Sequence, residues 1–326
     1  MVFKRLLGSL GVGGPQVDTV LQGGAAPGAA LQGQVFLKGG SAQHEIEEVR
    51  LELVARVEAE YEHGEAEGVV AFEHFVVGGG FRLAEGEERA LPFSVVLPWE
   101  TPITQLHGQS LGVELGVRTE LGVAGASDKS DLDALVVPPL PAQEAVLEAL
   151  GRLGFAFKSA DLELGHIRGT GQQLPFYQEI ELTPPPQYAH ACNEIEVTFL
   201  AASQGVEVVL EADKRGGLFG EGHDALGRYT VTHQDVGQYD WTGEVDGWVR
   251  RLLDQHASYG SGHGEGFGHG AHGAGGHSGP GAAVAAGAVG LAAGAAGGYV
   301  AAEIIDEIGD AFEDDEGDDD GGDEEE

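Results

Sequence analysis

The sequence predicts an all-β chain, with two antiparallel β-sandwich domains and short helices followed by a low-complexity tail. Three observations carry that reading. Apolar and polar residues alternate with a period of two in several runs, as in Val49, Leu51, Leu53, Ala55 and Val57 against Arg50, Glu52, Arg56 and Glu58. Gly and Pro clusters separate the runs at short intervals, with few helical stretches between them. After Arg251 there is no Lys or Arg, and the composition turns within ten residues to Gly, His and Ala.

Taken in chain order, the first element is a short amphipathic segment: Phe3, Leu6, Leu7 and Leu10 lie at i, i+3, i+4 and i+7, with Lys4 and Arg5 beside them. Its apolar part is short, is interrupted by Gly8 and Ser9, and has no small-x-small cleavage site, so it is not an export signal. These four residues are the candidate contact face of the chain, for the first sandwich, a partner or a membrane surface. Pro27-Gly28 reverses the chain between strands, because Pro fixes its own φ and Gly accepts the positive φ that a type II turn needs. The long alternating strand from Val49 to Tyr61 follows. Phe93, Val95 and Leu97 then form one face of a strand that Pro98 ends by lacking a ladder donor. Val113, Leu115, Val117, Thr119 and Leu121 give one more.

Pro138-Pro139-Leu140-Pro141 marks a joint, and Ala142 to Leu153 carries Ala145, Val146, Ala149, Leu150 and Leu153 along one helical stripe. The spacing predicts a connecting helix there. Alternation returns in Ile180-Glu181-Leu182, in Ile195 to Phe199 and in Val206 to Leu210. The expected domains are residues 1–138, 139–253 and a tail over 254–326. The tail has a Gly/His stretch, an Ala/Gly run from Ala282 to Ala302 and an acidic end, none with enough large apolar side chains to offset the entropy of a packed core.

Charge narrows the function. With 17 Lys+Arg against 54 Asp+Glu the chain carries −37, which repels phosphate backbones, so nucleic acid is not an expected partner. The single cysteine, Cys192, excludes an internal disulfide framework and a Cys-rich metal site, and it suits a reducing cytoplasm. The 55 Gly exceed twice the ordinary share of about 7%, in keeping with dense turns and a low-complexity tail.

No catalytic constellation emerges. His44-Glu45-Ile46-Glu47-Glu48 has Glu48 where a zincin needs its second histidine. There is no phosphate-binding Gly-x-x-x-x-Gly-Lys loop. Asp128, Asp131 and Asp133 are oxygen ligands without the EF-hand spacing, and they read as a solvated hairpin loop before a strand at Leu135-Val136-Val137. Asp213-Lys214-Arg215 reads as a surface charge cluster. His263, His269, His272 and His277 are irregularly spaced, which argues against a dedicated metal site. No cofactor and no metal are therefore expected. The Ala282 to Ala302 run is long enough for a membrane helix and contains Gly290-x-x-x-Gly294, but Ala and Gly dominate it and no basic residue flanks it. Membrane contact is not favoured.

Specific strings add a resemblance. "VDTVL", "PGAALQGQVFLKGG" and "LPFSVVLPWETP", followed past the joint by "LPFYQEIELTP", "NEIEVTFLA", "VEVVLEADKRGGLFG" and "YTVTHQDVGQYDW", resemble the bacterial sporulation-control family of the arrestin-like superfamily over about residues 1 to 250. The tail falls outside the shared pattern. The resemblance implies two arrestin-like sandwiches and a non-enzymatic, cytoplasmic regulatory scaffold. Its expected partners are other proteins, cell-division or sporulation factors among them. The alternative is a peripheral membrane adaptor using the N-terminal amphipathic segment and the Ala/Gly run.

Overall fold

The structure is a computed structural model, and it describes residues 13–61, 64–212 and 225–260. Strands β1 (Gln16–Leu21), β2 (Ala30–Lys38) and β5 (Glu88–Val96) make a three-stranded antiparallel sheet in the order β1-β2-β5. Alternation in β2 turns Leu31, Val35 and Leu37 inward, each at most 2% exposed, while Gln32, Gln34 and Phe36 point the other way. Gly33 has no side chain because Phe93 of β5 occupies that space: a Cβ would lie 2.4 Å from the ring. The Pro27-Gly28 turn forms as the sequence predicts, with Gly28 at φ 72°.

A second sheet faces the first. Strand β3 (His44–Tyr61) pairs with β4 (Gly64–Leu83) on one side and with β8 (Leu115–Val123) on the other, and β8 pairs with β9 (Lys129–Ala134). Between the sheets lie Val49, Leu51, Leu53, Val117 and Leu121, all fully buried. On the opposite face of β3 and β8 the charged residues pair laterally, Arg118 Nη2 with Glu52 at 2.5 Å and Arg50 with Glu48 at 2.6 Å. A two-residue turn joins the short strands β6 (Gln105–Leu106) and β7 (Gln109–Ser110).

Helix α1 (Pro141–Leu153) starts with Pro at its first position, where a missing N–H costs nothing, and Gln143 Oε1 accepts the Leu140 N–H at 2.8 Å. It ends at Gly154 in the left-handed region (φ 94°). The chain then forms an antiparallel meander: β10 (Ala156–Leu164), β11 (Phe176–Thr183), β12 (Ile195–Ala202), β13 (Gly205–Ala212) and β14 (Ala225–Thr232). Helix α2 (Trp241–Gly260) lies on β13 and β14 and also packs on α1. Its stripe of Val245, Trp248, Val249, Leu252 and Leu253 is buried, and Trp248 stacks on Tyr229 at 4.5 Å.

Two features depart from the sequence reading. Asp131 and Asp133 do not sit in a solvated loop; they lie half-buried in strand β9, and Leu135 to Val137 is not a strand. Tertiary contact overrides the polar signal there, because Asp131 Oδ2 accepts the Thr19 N–H of β1 at 2.7 Å and so ties the edges of the two sheets together. Burial raises the proton affinity of Asp131. Asp133 is pushed up to about 7 by burial and by the neighbouring Asp131 and Asp18. The second departure is α2, whose apolar stripe the period-two reading passes over.

The sheets are also continuous. Strand β3 outruns β8, and near its end Glu58 pairs in parallel with Glu163 of β10. One sheet therefore runs β14-β13-β12-β11-β10-β3-β8-β9, with β4 added on the far side of β3.

Candidate protein-binding surface

The seam where the two strand groups meet holds several long-range polar contacts. The segment after Pro98 crosses to the meander: Glu100 Oε2 accepts the backbone N–H groups of Gln173 at 2.7 Å and Leu174 at 2.9 Å. Trp99 stacks on His233 at 5.5 Å, and a ring nitrogen of His233 lies 2.9 Å from the Ala202 carbonyl oxygen. Phe72 of β4 meets Phe176 of β11 edge to face at 5.4 Å. Aromatic pairs of this kind add about 0.5–1.5 kcal/mol beyond the area they bury.

A groove of about 290 Å³ opens beside these contacts, between Glu100, the β12–β13 turn at Gln204-Gly205 and the far end of β14 at Thr230 and Thr232. Gly205 lets the strands approach there, since a Cβ would lie 2.3 Å from the Val231 carbonyl oxygen. Strand β14 is the outermost of its sheet and, among the described residues, pairs with β13 alone. Leu226, Arg228, Thr230 and Thr232 are exposed along it, Leu226 at 41%. An edge strand presents unpaired N–H and C=O groups, which are a template for another strand.

The face that carries Thr230 is acidic. Register places Asp161 opposite Glu179, Glu181 opposite Glu196, and Glu196 opposite Glu211, so carboxylates follow one another across β10 to β13. Like charges directly opposite are destabilising. Burial, with Glu196, Asp161, Glu163 and Glu211 nearby, pushes Glu179 up to about 9. Tyr177 is raised by burial and then by Glu179, Glu163, Glu211 and Glu196. At the two margins Arg228 pairs with Glu207 at 2.5 Å, and Lys158 lies 2.5 Å from both Glu181 and Glu194.

A second groove, of about 620 Å³, lies on the β1-β2-β5 sheet, with Val20, Phe36 and Ala90 among its apolar lining and Asp18, Lys38 and Glu88 among its charged residues. Phe36 is 41% exposed.

Of the residues singled out in the sequence, Phe3, Leu6, Leu7 and Leu10 lie outside the described residues, as do Asp213 to Arg215, the four tail histidines and the Ala/Gly run. Asp128 is within them, and its Oδ1 accepts the Val123 N–H at 3.4 Å. Asp131 serves the sheet-to-sheet junction instead, with Asp133 half-buried beside it. Cys192 is fully buried. No helix among the described residues is long and apolar enough to cross a membrane. The seam and the β14 edge were not legible as particular residues, because each depends on contacts distant in sequence.

Comparison with known proteins places this arrangement. A family model described as "SpoOM protein" matches residues 3–216. The "Sporulation-control protein spo0M" of Bacillus subtilis (strain 168) is 35% identical over 261 residues, which cover 78% of this chain and 98% of that protein. A crystal structure of Spo0M, sporulation control protein, from Bacillus subtilis superposes with a TM-score of 0.65 at 33% identity, covering 75% of this chain and 100% of that one.

Proposed function

This chain belongs to the SpoOM protein family, and from that premise we propose that it is a cytoplasmic, non-enzymatic regulatory scaffold acting in sporulation control by binding other proteins. The β14 edge supports the binding reading most directly. A partner segment in extended conformation adds to β14 through main-chain hydrogen bonds, and the groove at Thr230 and Thr232 receives one of its side chains. The carboxylate ladder on the same face favours a partner carrying Lys or Arg. A non-enzymatic role agrees with the family and with the placement of Cys192, whose thiol has no access to solvent.

The test is affinity capture from the native cytoplasm with the full chain, compared with Leu226→Lys and Thr230→Lys, since charges on an edge strand oppose pairing. Partners retained by the parent and lost from both variants, with unfolding midpoints unchanged, are the expected result. Equal recovery from all three chains rejects edge pairing. Recovery of the parent with floated liposomes would instead favour a membrane adaptor.

A further inference from the structure

Three side chains from two separate elements converge outside the seam. The turn between β6 and β7 consists of His107 and Gly108, at φ 52° and φ 79°. Two successive positive φ values are the type I′ signature, for which Asn-Gly is the favoured pair. Among the described residues His107 is the one non-glycine with positive φ. The turn aims its imidazole at α1, where Glu144 and Glu148 lie one helical turn apart on the same face. Nδ1 is 3.4 Å from Glu144 Oε1, and Nε2 is 3.9 Å from Glu148 Oε1. One ligand atom from each residue comes within 4.8 Å of the others.

We propose that His107, Glu144 and Glu148 form a binding site for a divalent transition-metal ion of the zinc type. The donor set of one imidazole and two carboxylates suits zinc, copper or nickel rather than calcium or magnesium, whose sites are built from oxygen alone. The separation agrees as well. Two ligands at about 2.0–2.1 Å from a tetrahedral ion stand about 3.4 Å apart, which is the distance from Nδ1 to the Glu144 carboxylate. Glu148 turns Oε1 toward the other ring nitrogen, Nε2, while Arg152 holds its Oε2. An ion at Nδ1 therefore draws the Glu148 carboxylate round by a side-chain rotation, from a starting spread within 4.8 Å among the three ligand atoms. Water completes the coordination at this exposed position. The bound ion fastens the β6–β7 hairpin to the helix that leads into the meander. The site stands on its own geometry and does not depend on the scaffold reading.

The test uses the full chain. Because the tail histidines also offer imidazoles, the readout must be local: backbone amide NMR with Cu²⁺ below one equivalent, whose paramagnetism broadens only nearby signals. The signals of residues 105–110 and 141–149 should broaden. In His107→Asn they should stay sharp, and Asn keeps the left-handed turn intact, so loss of folding does not confound the result. Zn²⁺ calorimetry then uses a full-length chain in which His263, His269, His272 and His277 are replaced by Gln. On that background His107→Asn and Glu148→Gln should each weaken binding about tenfold or more. Sharp hairpin signals in the parent, unchanged Zn²⁺ affinity in His107→Asn, or no Zn²⁺ uptake by the four-Gln chain would each overturn the site and leave an imidazole–carboxylate ion pair in its place.

Discussion

Gln178 grips Ile103 by both of its backbone groups: the side-chain Oε1 accepts the Ile103 N–H at 3.0 Å, and Nε2 donates to the Ile103 carbonyl at 2.8 Å. The amide of one β11 side chain thus does the work of a neighbouring strand for a segment that belongs to the other half of the chain. Both residues are buried, Ile103 completely and Gln178 to 8% exposure. Truncating Gln178 therefore strands a donor and an acceptor where water does not reach.

Gln178→Leu should lower stability by about 2–4 kcal/mol, because each orphaned buried backbone group costs about 1–3 kcal/mol. Urea unfolding of the variant measures it. A loss under about 0.5 kcal/mol, in the range of an ordinary surface change, would mean that the Ile103 groups find other partners and that the seam is not held this way.

Gly28 gives a sharper contrast. A Cβ there would lie 2.6 Å from the Trp99 ring, and its φ of 72° is unfavourable for a side chain, whereas Gly23 has φ 81° with nothing within 4 Å. Gly28→Ala should cost about 2–4 kcal/mol, combining about 1–2 kcal/mol of left-handed strain with displacement of a packed ring. It should also disturb the stacking of Trp99 on His233, visible as a change in tryptophan fluorescence. Gly23→Asn should stay within about 0.5 kcal/mol of the parent, since Asn tolerates the left-handed region. Similar losses at both sites would show that backbone strain alone decides, without Trp99.

These two glycines also mark what the sequence made legible. Local rules sufficed for the Pro27-Gly28 turn, for β3 with its inward Val49, Leu51 and Leu53, and for α1 with Val146, Ala149 and Leu150 on one stripe. Each depends on neighbours within a few residues. The bridge from Glu58 to Glu163 and the convergence of His107 on Glu144 and Glu148 depend on the path of the chain, and no local period encodes them. Asp131 and Asp133 were misleading because carboxylates ordinarily signal solvent, and here a β1 backbone N–H and shared burial outweigh that preference. The stripe of α2 is present in Val245, Trp248, Val249 and Leu252, but Gly243 just before it and Gly247 within it depress the helical signal.

Glu179 makes stability depend on pH. Its carboxyl is pushed up to about 9 from an ordinary value of 4.5, first by burial and then by surrounding carboxylates. Between those two values the native state keeps a proton that the unfolded state has released. This contribution is therefore fully present below about 4.5 and is lost as pH rises toward about 9. Glu179→Gln, which keeps the shape and stays neutral, should raise stability at pH 7 by about 1–3 kcal/mol. It should also flatten the fall in unfolding midpoint between pH 5 and 9. A variant less stable than the parent at pH 7, with the same pH slope, would mean that the Glu179 carboxylate is ionised and paired in the native state.

The last described helix, α2, contributes to the core up to Leu253. The helix runs to Gly260, beyond the break in composition at Arg251, and it buries Leu252 fully and Leu253 to 8% exposure. Ending the chain after Arg251 removes both leucines, each worth about 1.5–3 kcal/mol when buried. The midpoint of thermal unfolding should then fall by about 6–24 °C, given about 2–4 °C per kcal/mol for a chain of this size. Ending it after Gly260 removes only the Gly/His, Ala/Gly and acidic stretches, which carry few large apolar side chains, and should leave the midpoint within about 2 °C of the full chain. The acidic end should act instead on association, with any binding that it contributes weakening as the Debye length falls from about 10 Å at 0.1 M salt to about 3 Å at 1 M. Calorimetry of the two shortened chains beside the full one separates these effects. A large drop on ending at Gly260 would show that residues after it pack on the sandwiches, and an unchanged midpoint on ending at Arg251 would show that the last turns of α2 contribute nothing to the core.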